Sequence, residues 1–312
     1  MHYLSKLLST LVVTGCTSLA SASPLEDYNL ILFNDFNVSG GSGHIHGTAF
    51  IGGDLNGQNP GFGADLDSSL TVNTLEVAGD LNANQVTLES GYLAYGGTNN
   101  LNNINCNGNG LSGGCLQSET GLDAKAAALR AELSSESAYY AGLADNGSVD
   151  LTNNVLSYTG SATDLAVFTI NGADLFTQNS NWDLVFGAAE KVVINVLGDI
   201  IANAGGVNFN GGFSLLNAEN ILWNFSEAST IDLGSAHWFG SILAMDAVLD
   251  TDNDISGTLV ADTYIGNGQM HVYNWTDEPP AYEPPKSVPE PNISLLLLMG
   301  LGFLGLGRQR RV

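Results

Sequence analysis

Three aspartates alternate in the second half of the chain, at Asp250, Asp252 and Asp254. Carboxylate oxygens at this spacing are typical of calcium-binding loops, because calcium prefers hard oxygen ligands. Two positions depart from such loops: Ile255 stands where they carry glycine, and Ala261 stands where they carry the last acidic ligand. The three aspartates predict a structural calcium site, with an ordinary acidic turn as the alternative. No other cofactor is expected.

Two cysteines, Cys106 and Cys115, flank a stretch rich in glycine and asparagine. An even pair in an exported chain, with a flexible loop between its members, is typical of a local disulfide. A zinc site is the alternative, but it needs further Cys or His ligands, and none lies nearby in the sequence. We therefore expect a disulfide.

Catalytic chemistry finds little support in the sequence. The segment between the two chain ends carries four histidines, His44, His46, His237 and His271, and no Gly-x-Ser-x-Gly turn precedes a helix. His44 and His46 are predicted to share one strand face, as a polar pair or a metal site without a visible third ligand. Two carboxylates spaced for glycoside cleavage occur by chance among 32 acidic residues, so they carry little weight. We expect no enzyme, with a carbohydrate-active enzyme as an alternative.

The charge balance excludes two classes of partner. All 32 acidic residues lie between Glu26 and Glu290, and four basic residues in that span leave it a net charge near −28. A chain this acidic repels nucleic acid and anionic membrane surfaces. The four basic residues are Lys125, Arg130, Lys191 and Lys286.

The N-terminal segment predicts export. Lys6 precedes an apolar run over residues 7–13, and Ala20-Ser21-Ala22 supplies an A-x-A cleavage site, so residues 1–22 are a predicted signal peptide. The alternative is a lipoprotein signal, since the sequence VTGC ending at Cys16 resembles a lipobox. Both interpretations take the chain out of the cytoplasm.

The C-terminal segment has three parts. A proline-rich linker over residues 277–288 leads to Pro289-Glu290-Pro291, an apolar stretch over residues 293–306, and the basic residues Arg308, Arg310 and Arg311. Fourteen helical residues span roughly 21 Å, which is short of the ~30 Å hydrocarbon core. The basic tail predicts a cytoplasmic end. We expect residues 293–306 to anchor the chain in a membrane only transiently.

This order of motif, short apolar span and arginine cluster in residues 289–312 resembles the PEP-CTERM sorting signal, which exosortases of Gram-negative bacteria recognise. The resemblance implies that residues 293–306 hold the chain in the inner membrane until an exosortase cleaves it near Pro289-Glu290-Pro291. It also implies delivery to the cell surface or extracellular matrix, where such proteins are associated with exopolysaccharide and biofilm. Extracellular polysaccharide is thus a candidate partner.

The body between the two signals has a β-rich pattern. Glycine (38 residues) and asparagine (32 residues) are frequent, yet apolar residues make up 44% of the chain, which excludes a disordered chain. Gly and Asn supply the positive φ of tight turns, so the pattern predicts many short strands. The strand candidates are residues 30–33, 48–51, 69–77, 85–88, 167–170, 191–197, 213–216, 220–225, 241–244 and 257–260.

A loose repeat connects these strands. The sequence IGGDLN from Ile51 recurs as VAGDLN from Val77, and more weakly as LGDI from Leu197. The spacing between Asp54 and Asp80 suits one coil of a β-solenoid, in which aliphatic side chains point inwards and Gly-Asp turns the corners. A generic Gly-Asp turn in a β-sandwich is the alternative.

One segment, residues 120–144, is rich in helix formers. Thr120 and Asp123 have the spacing of a capping box, and Asn146-Gly147 supplies a stop. An apolar stripe predicts that the helix packs against the β body; its members are Leu122, Ala126, Leu129, Leu133, Tyr140 and Leu143.

The start of the body resembles a known family. DYNLILFNDFN over residues 27–37 and HGTAFIGGDL over residues 46–55 are similar to the opening of choice-of-anchor A domains, and the similarity extends from about Leu25 to Trp275. The resemblance implies a surface adhesin in which residues 23–276 form a right-handed parallel β-helix with one long α-helix packed alongside.

We therefore predict an all-β, exported, non-catalytic adhesin-like protein sorted by an exosortase. An ice- or surface-binding protein is a further alternative, because a solenoid face with a supporting helix also suits ice. Ice binding predicts regular threonine ladders, and the threonines are scattered along the sequence.

Overall fold

The computed structural model describes residues 23–38, 43–106, 114–161, 165–202 and 206–276. The predicted signal peptide, the linker, Pro289-Glu290-Pro291, the apolar stretch 293–306 and the arginine tail lie outside the described residues. Within the described ranges, no helix is both long enough and apolar enough to cross a membrane.

Three helices and 25 strands make up the described chain. The helices are α1 (Pro24–Asp27), α2 (Leu122–Ala141) and α3 (Gly172–Leu175), and Ala218–Asn220 forms a 3-10 turn. The strands before α2 are β1 (Leu30–Leu32), β2 (Phe36–Val38), β3 (His44–Ile45), β4 (Ala49–Ile51), β5 (Leu55–Gly57), β6 (Gly61–Phe62), β7 (Asn73–Val77), β8 (Gln85–Leu88), β9 (Tyr92–Tyr95), β10 (Asn103–Asn105) and β11 (Leu116–Ser118). The strands after α2 are β12 (Ser148–Asp150), β13 (Val155–Ser157), β14 (Leu165–Asn171), β15 (Asn181–Val185), β16 (Lys191–Leu197), β17 (Ile200–Ala202), β18 (Asn208–Gly211), β19 (Ile221–Asn224), β20 (Thr230–Asp232), β21 (Trp238–Phe239), β22 (Ser241–Thr251), β23 (Ile255–Ser256), β24 (Leu259–Gly266) and β25 (Met270–His271).

The strands stack in parallel as the coils of a β-helix, so the predicted solenoid is confirmed and the β-sandwich alternative is wrong. Coils such as β1-β2-β3 and β4-β5-β6 contribute one strand to each of three faces. The first face has the order β11-β9-β7-β4-β1-β24-β22-β19-β16-β14. The second joins β17, β20, the later halves of β22 and β24, β2 and β5. The third has the order β10-β8-β6-β3-β25-β23-β21, and β12-β13-β15-β18 form a separate sheet.

The order of the coils in space differs from their order in the chain. The first coil lies in the middle, because β1 pairs with β4 on one side and with β24 on the other. The chain winds outwards from β1 to β11. After α2 it forms β12 and β13, enters the first face at its far end, at β14, and winds back to β24. A 20-residue helix is about 30 Å long, or roughly six strand spacings, so α2 accounts for much of this return.

Large aromatic side chains fill the core of the C-terminal coils. Trp223 and Trp238 are fully buried and meet at a ring distance of 4.8 Å. Phe209 packs on both, at 5.6 Å and 4.9 Å. These tryptophans therefore stabilise the core and do not face a ligand.

Helix α2 lies against the first face, as predicted. Leu129 and Leu133 are buried against outward-pointing residues of the sheet such as Leu222 and Leu243. The ends differ from the prediction: Gly121 precedes the helix in a left-handed conformation without a side-chain cap, and Gly142 ends it. The predicted capping box is absent because Gly121, and not Thr120, occupies the position before the first helical residue, Leu122, so the Thr120 side chain lies one position too early to cap the helix.

The repeat is confirmed where it was strongest. Strand pairing aligns Ile51 with Val77, and the backbone N–H of Asp80 donates to Asp54 Oδ1 at 2.7 Å. Coil length varies elsewhere. The coil that separates the paired Ile242 and Leu259 is much shorter than the coil that separates the paired Val192 and Ile221.

Two finer predictions are wrong. Pairing through β17, β20, β22, β24 and β2 aligns Ile200, and not Asp199, with the Asp54 position, so the weak copy LGDI is offset by one residue. Residues 213–216 form a turn and not a strand, because Phe213 folds back onto Trp223 at 5.4 Å.

Candidate binding surface

Helix α2 leaves two faces of the β-helix open. The helix covers the first face. The three lysine and arginine residues of the described chain make their side-chain contacts on this face as well. Lys125 pairs with Glu76, Arg130 contacts Asp262 at 3.0 Å, and Lys191 lies 5.0 Å from the Trp275 ring. The open faces therefore carry carboxylates, amides and imidazoles, without lysine or arginine from the described residues.

The second face carries a row of asparagines on successive coils, which we name the amide ladder: Asn37, Asn56, Asn82 and Asn100. Asn56 Nδ2 donates to Asn37 Oδ1 at 3.0 Å, and Asn100 Nδ2 donates to Asn82 Oδ1 at 2.9 Å. Asn82 Nδ2 donates to Asp54 Oδ2 at 3.2 Å. Each amide keeps further donor and acceptor capacity for a ligand, because an amide has two N–H groups and two lone pairs.

The amide row continues around the next corner. Asn102 Nδ2 donates to Asn84 Oδ1 at 2.8 Å, and both side chains are exposed. Sequence reasoning noted the abundance of asparagine but missed these ladders. The only signal was the repeat that aligned Asn56 with Asn82.

The aspartates beside the ladder hold the corner together. Asp35 Oδ1 accepts the backbone N–H of Asp54 at 2.8 Å, and Asp80 Oδ1 accepts that of Thr98 at 2.6 Å. These carboxylate oxygens are turned towards the neighbouring coil, so they stabilise the stack and orient the ladder beside them.

The remaining half of the second face has a different surface. Strand pairing places Ile200, Thr230, Val248 and Thr263 in one outward column. Ile200 is 70% exposed. The column alternates methyl-bearing and hydroxyl-bearing side chains, and the sequence did not reveal it because the four residues come from coils of different lengths.

The three aspartates of the predicted calcium site do not form one ligand set in the described part of the chain. Burial raises the pKa of Asp250, and Asp232 and Asp252 raise it further. Asp254 turns to the third face, where its carboxylate accepts the backbone N–H of Gln269 at 3.0 Å. Across the described ranges, no three His, Cys, Asp or Glu side chains are arranged to hold a metal ion. The structure therefore does not bring these three carboxylates together.

The third face gathers all four histidines of the body, where sequence reasoning had grouped only His44 and His46. His46 and His271 follow the neighbouring strand residues Ile45 and Met270, and their rings lie 4.5 Å apart. His46 Nδ1 contacts Asp65 at 3.0 Å. His44 lies against Gly61, where an added Cβ would be 2.9 Å from its Nδ1.

The fourth histidine, His237, stacks on Phe239 at 4.5 Å. Its Nε2 lies 2.9 Å from Ser256 Oγ, but Ser256 is fully buried, so this hydroxyl holds the ring in place and does not meet a substrate. Burial lowers the pKa of His237; the nearby Asp254 opposes this and His271 adds to it.

The structure joins Cys106 and Cys115 in a disulfide beyond strand β10, at the outer end of the N-terminal coils. Cys115 is fully buried and packs in the core.

Comparison with known proteins gives two family matches. Residues 21–272 match the family described as "Putative Ice-binding-like adhesive domain", and residues 287–311 match the PEP-CTERM protein-sorting motif. No curated protein matches the chain by sequence. The choice-of-anchor A resemblance stays a prediction.

Several solved structures are similar over most of their length. The ice-binding protein 1 DUF3494 domain of Shewanella frigidimarina is 13% identical, with a TM-score of 0.39, covering 83% of this chain and 99% of that one. The ice-binding protein of Antarctomyces psychrotrophicus is 16% identical, with a TM-score of 0.33, covering 80% and 96%. A glycosylated ice-binding protein from an Arctic yeast is 12% identical, with a TM-score of 0.35, covering 85% and 98%.

The family match spans well over half of the sequence, from the first coil to the last. The C-terminal match agrees with the sorting signal expected at Pro289-Glu290-Pro291, a signal for export and exosortase processing. The chain belongs to the family of ice-binding-like adhesive domains and carries a C-terminal PEP-CTERM sorting motif.

Proposed function

We propose that the mature chain is a non-catalytic adhesive protein of the surface or extracellular matrix of a Gram-negative bacterium, and that it binds neutral polysaccharide of the biofilm matrix through the amide ladder. The observation that carries the proposal is the row Asn37, Asn56, Asn82 and Asn100 on an open face. The family of adhesive domains, the sorting motif and the resemblance to choice-of-anchor A domains support a display role.

The ladder suits a polymer with repeated hydroxyl groups. Its amides recur at ~4.8 Å, the spacing of neighbouring strands, and each offers donors and acceptors in a fixed row. Single amide–hydroxyl contacts are weak, but contacts made along one polymer chain add through multivalency. The net charge near −28 between Glu26 and Glu290 (four basic and 32 acidic residues) disfavours anionic polymers, so a neutral polysaccharide is the better ligand.

The binding test uses the exported protein and an insoluble neutral polysaccharide. Replacing both Asn82 and Asn100 with alanine removes the exposed end of the ladder, and we expect at least a tenfold loss of bound protein without a change in the unfolding midpoint. Asn208→Ala is the matched control, because Asn208 is exposed on the separate four-stranded sheet. Equal binding by the double variant would reject the ladder as the site, and release of soluble sugar would favour the alternative of a carbohydrate-active enzyme.

The delivery test addresses the sorting motif. With Pro289, Glu290 and Pro291 changed to alanine, we expect an unprocessed chain that stays in the membrane fraction. Pro284→Ala with Pro285→Ala is the control, since both prolines lie in the linker before the motif. Normal processing and release of the motif variant would contradict exosortase sorting.

Ice binding is the second candidate. The column of Ile200, Thr230, Val248 and Thr263 favours it, because methyl and hydroxyl groups are aligned there on an exposed face. In an ice-recrystallisation assay, Thr230→Lys with Thr263→Lys should abolish inhibition, whereas the Asn82 and Asn100 double variant should retain it. Absence of inhibition by the unaltered protein would remove this candidate.

A further inference from the structure

A carboxylate is buried where α2 meets the start of the body. Glu136 lies on α2 and is only 3% exposed. Its Oε1 accepts a hydrogen bond from Ser23 Oγ at 2.8 Å, and Ser23 is itself 4% exposed. Taking an ionised carboxylate out of water is costly unless hydrogen bonds and an opposite charge compensate for it.

The position of Ser23 is fixed by its own neighbours. Its Oγ also accepts the backbone N–H of Leu25 at 3.1 Å and so caps α1. Leu25 is fully buried, and its carbonyl accepts a hydrogen bond from Thr258 Oγ1 at 2.8 Å. Ser23 is therefore held beside Glu136 by contacts with the last coil of the β-helix.

Ser23 is also the residue that follows the predicted A-x-A cleavage site, Ala20-Ser21-Ala22. Hydrolysis of the Ala22–Ser23 amide adds one water, leaving a carboxylate on Ala22 and an α-ammonium group on Ser23. The serine nitrogen is three bonds from its hydroxyl, roughly 3 Å away. That hydroxyl touches Glu136, so the new charge arises within reach of the carboxylate.

We propose that removal of the signal peptide creates an ion pair between the α-ammonium group of Ser23 and the buried carboxylate of Glu136. Before cleavage, the same nitrogen belongs to an uncharged amide. The positive charge forms only after the chain has crossed the membrane, and it then fastens α2 to α1 and to the last coil. Signal-peptide removal thereby completes the packing of the mature protein.

The first test measures the α-amine directly on the exported protein. N-terminal sequencing should give Ser23 as the first residue. Competitive labelling of the amine across a pH series should then show a pKa at least one unit above the ordinary range of about 7.7–8.0. Glu136→Gln should return the pKa to that range, whereas Glu132→Gln, a half-buried glutamate on the same helix, should not. A different N-terminus, or an ordinary pKa in the unaltered protein, would overturn the proposal.

The second test needs no substitution inside the core. Two glycines inserted between Ala22 and Ser23 leave the cleavage site intact but move the charged amine away from Glu136. We expect the insertion to lower the folding equilibrium constant at least tenfold when Glu136 is present, and less than threefold when it is combined with Glu136→Gln. Equal losses with and without Glu136 would refute the ion pair. If Glu136→Gln does not fold, the pKa of the α-amine in the insertion variant tests the proposal instead. We expect an ordinary pKa there, because the inserted glycines move the amine away from Glu136.

Discussion

At the residue scale, the corner between the first and second faces depends on glycines whose neighbours leave no room for a side chain. A Cβ added at Gly53, Gly79 or Gly97 would lie under 3.0 Å from an aspartate oxygen of the preceding coil. None of the three has a positive φ, so the restriction comes from contact and not from backbone conformation. This explains why Gly-Asp recurs: the aspartate of one coil occupies the space beside the glycine of the next.

We expect Gly79→Ala to destabilise the protein by about 1–3 kcal/mol, because the added methyl group meets Asp54 and the backbone of Gly53. Urea denaturation measures the loss. Gly142→Ala is the control: its Cβ would lie 3.4 Å from the nearest atom, and Gly142 has right-handed helical angles, so a change within about 0.5 kcal/mol is expected. Equal effects of the two substitutions would disprove the steric explanation.

His237 should make stability depend on pH. Burial lowers its pKa in the folded state, so between pH 7 and pH 5 the unfolded chain takes up a proton that the folded chain resists. The stability that the neutral His237 ring contributes is therefore fully present above its pKa in the unfolded chain, about 6.5, and is lost as the pH falls through its lower pKa in the folded protein. Asp254, His271, Ser256 and Phe239 surround the ring.

We expect His237→Gln to reduce the drop in urea midpoint between pH 7 and pH 5. His44→Gln serves as the comparison for the loss of another histidine from the same face. An unchanged drop in His237→Gln would show that this histidine does not control the pH dependence.

At the element scale, α2 depends on its apolar stripe and on a buried polar contact. Leu133 is fully buried, and Ser137 Oγ donates to Asn224 Oδ1 at 2.7 Å beneath the helix. We expect Leu133→Ala to cost about 2–5 kcal/mol in thermal or urea unfolding, because it leaves a cavity. The adjacent, exposed Ser134→Ala should change stability by no more than about 0.5 kcal/mol. Similar costs for both would mean that α2 is not held through this stripe.

The disulfide closes a short loop at the end of the coils. Cys106 and Cys115 are nine residues apart, and closing such a loop in the unfolded chain corresponds to about 2–3 kcal/mol. We expect this loss when both cysteines are changed to serine. The double variant should also lose the response of the unfolding midpoint to a thiol reductant, and a response that persisted would implicate another bond.

At the scale of the whole molecule, acidic charge is spread over faces that lack described lysine or arginine. The formal net charge of −24 predicts self-repulsion that salt screens. We expect the thermal midpoint to rise between 10 mM and 500 mM NaCl. A constant or falling midpoint would show that this repulsion is unimportant.

The same experiment separates screening from calcium binding. Calcium and magnesium at equal ionic strength should act alike if only screening operates. The predicted site at Asp250, Asp252 and Asp254 would be supported if calcium raised the thermal midpoint more than magnesium did. Asp250→Asn should then abolish the extra rise, and Asp199→Asn should leave it unchanged. Identical effects of the two ions would count against it.

The sequence alone determined what depends on near neighbours. The apolar stripe of α2, the strands 85–88 and 191–197, the repeat at Asp54 and Asp80 and the C-terminal motif were all readable, because each is set by short-range spacing. The strand predicted at residues 213–216 was wrong because Phe213 packs on Trp223 in the aromatic core, a contact that a local sequence pattern does not reveal.

Only the tertiary structure decided which coils touch. Leu30 in the first coil pairs with Leu259 near the other end of the body, and this contact brings His46 beside His271. Coils of unequal length carry no fixed period, so the neighbours of a side chain across coils depend on how the core packs. The amide ladder, the histidine face and the Ser23–Glu136 contact are therefore products of stacking, whereas the C-terminal sorting motif was legible from the sequence because it is a linear motif.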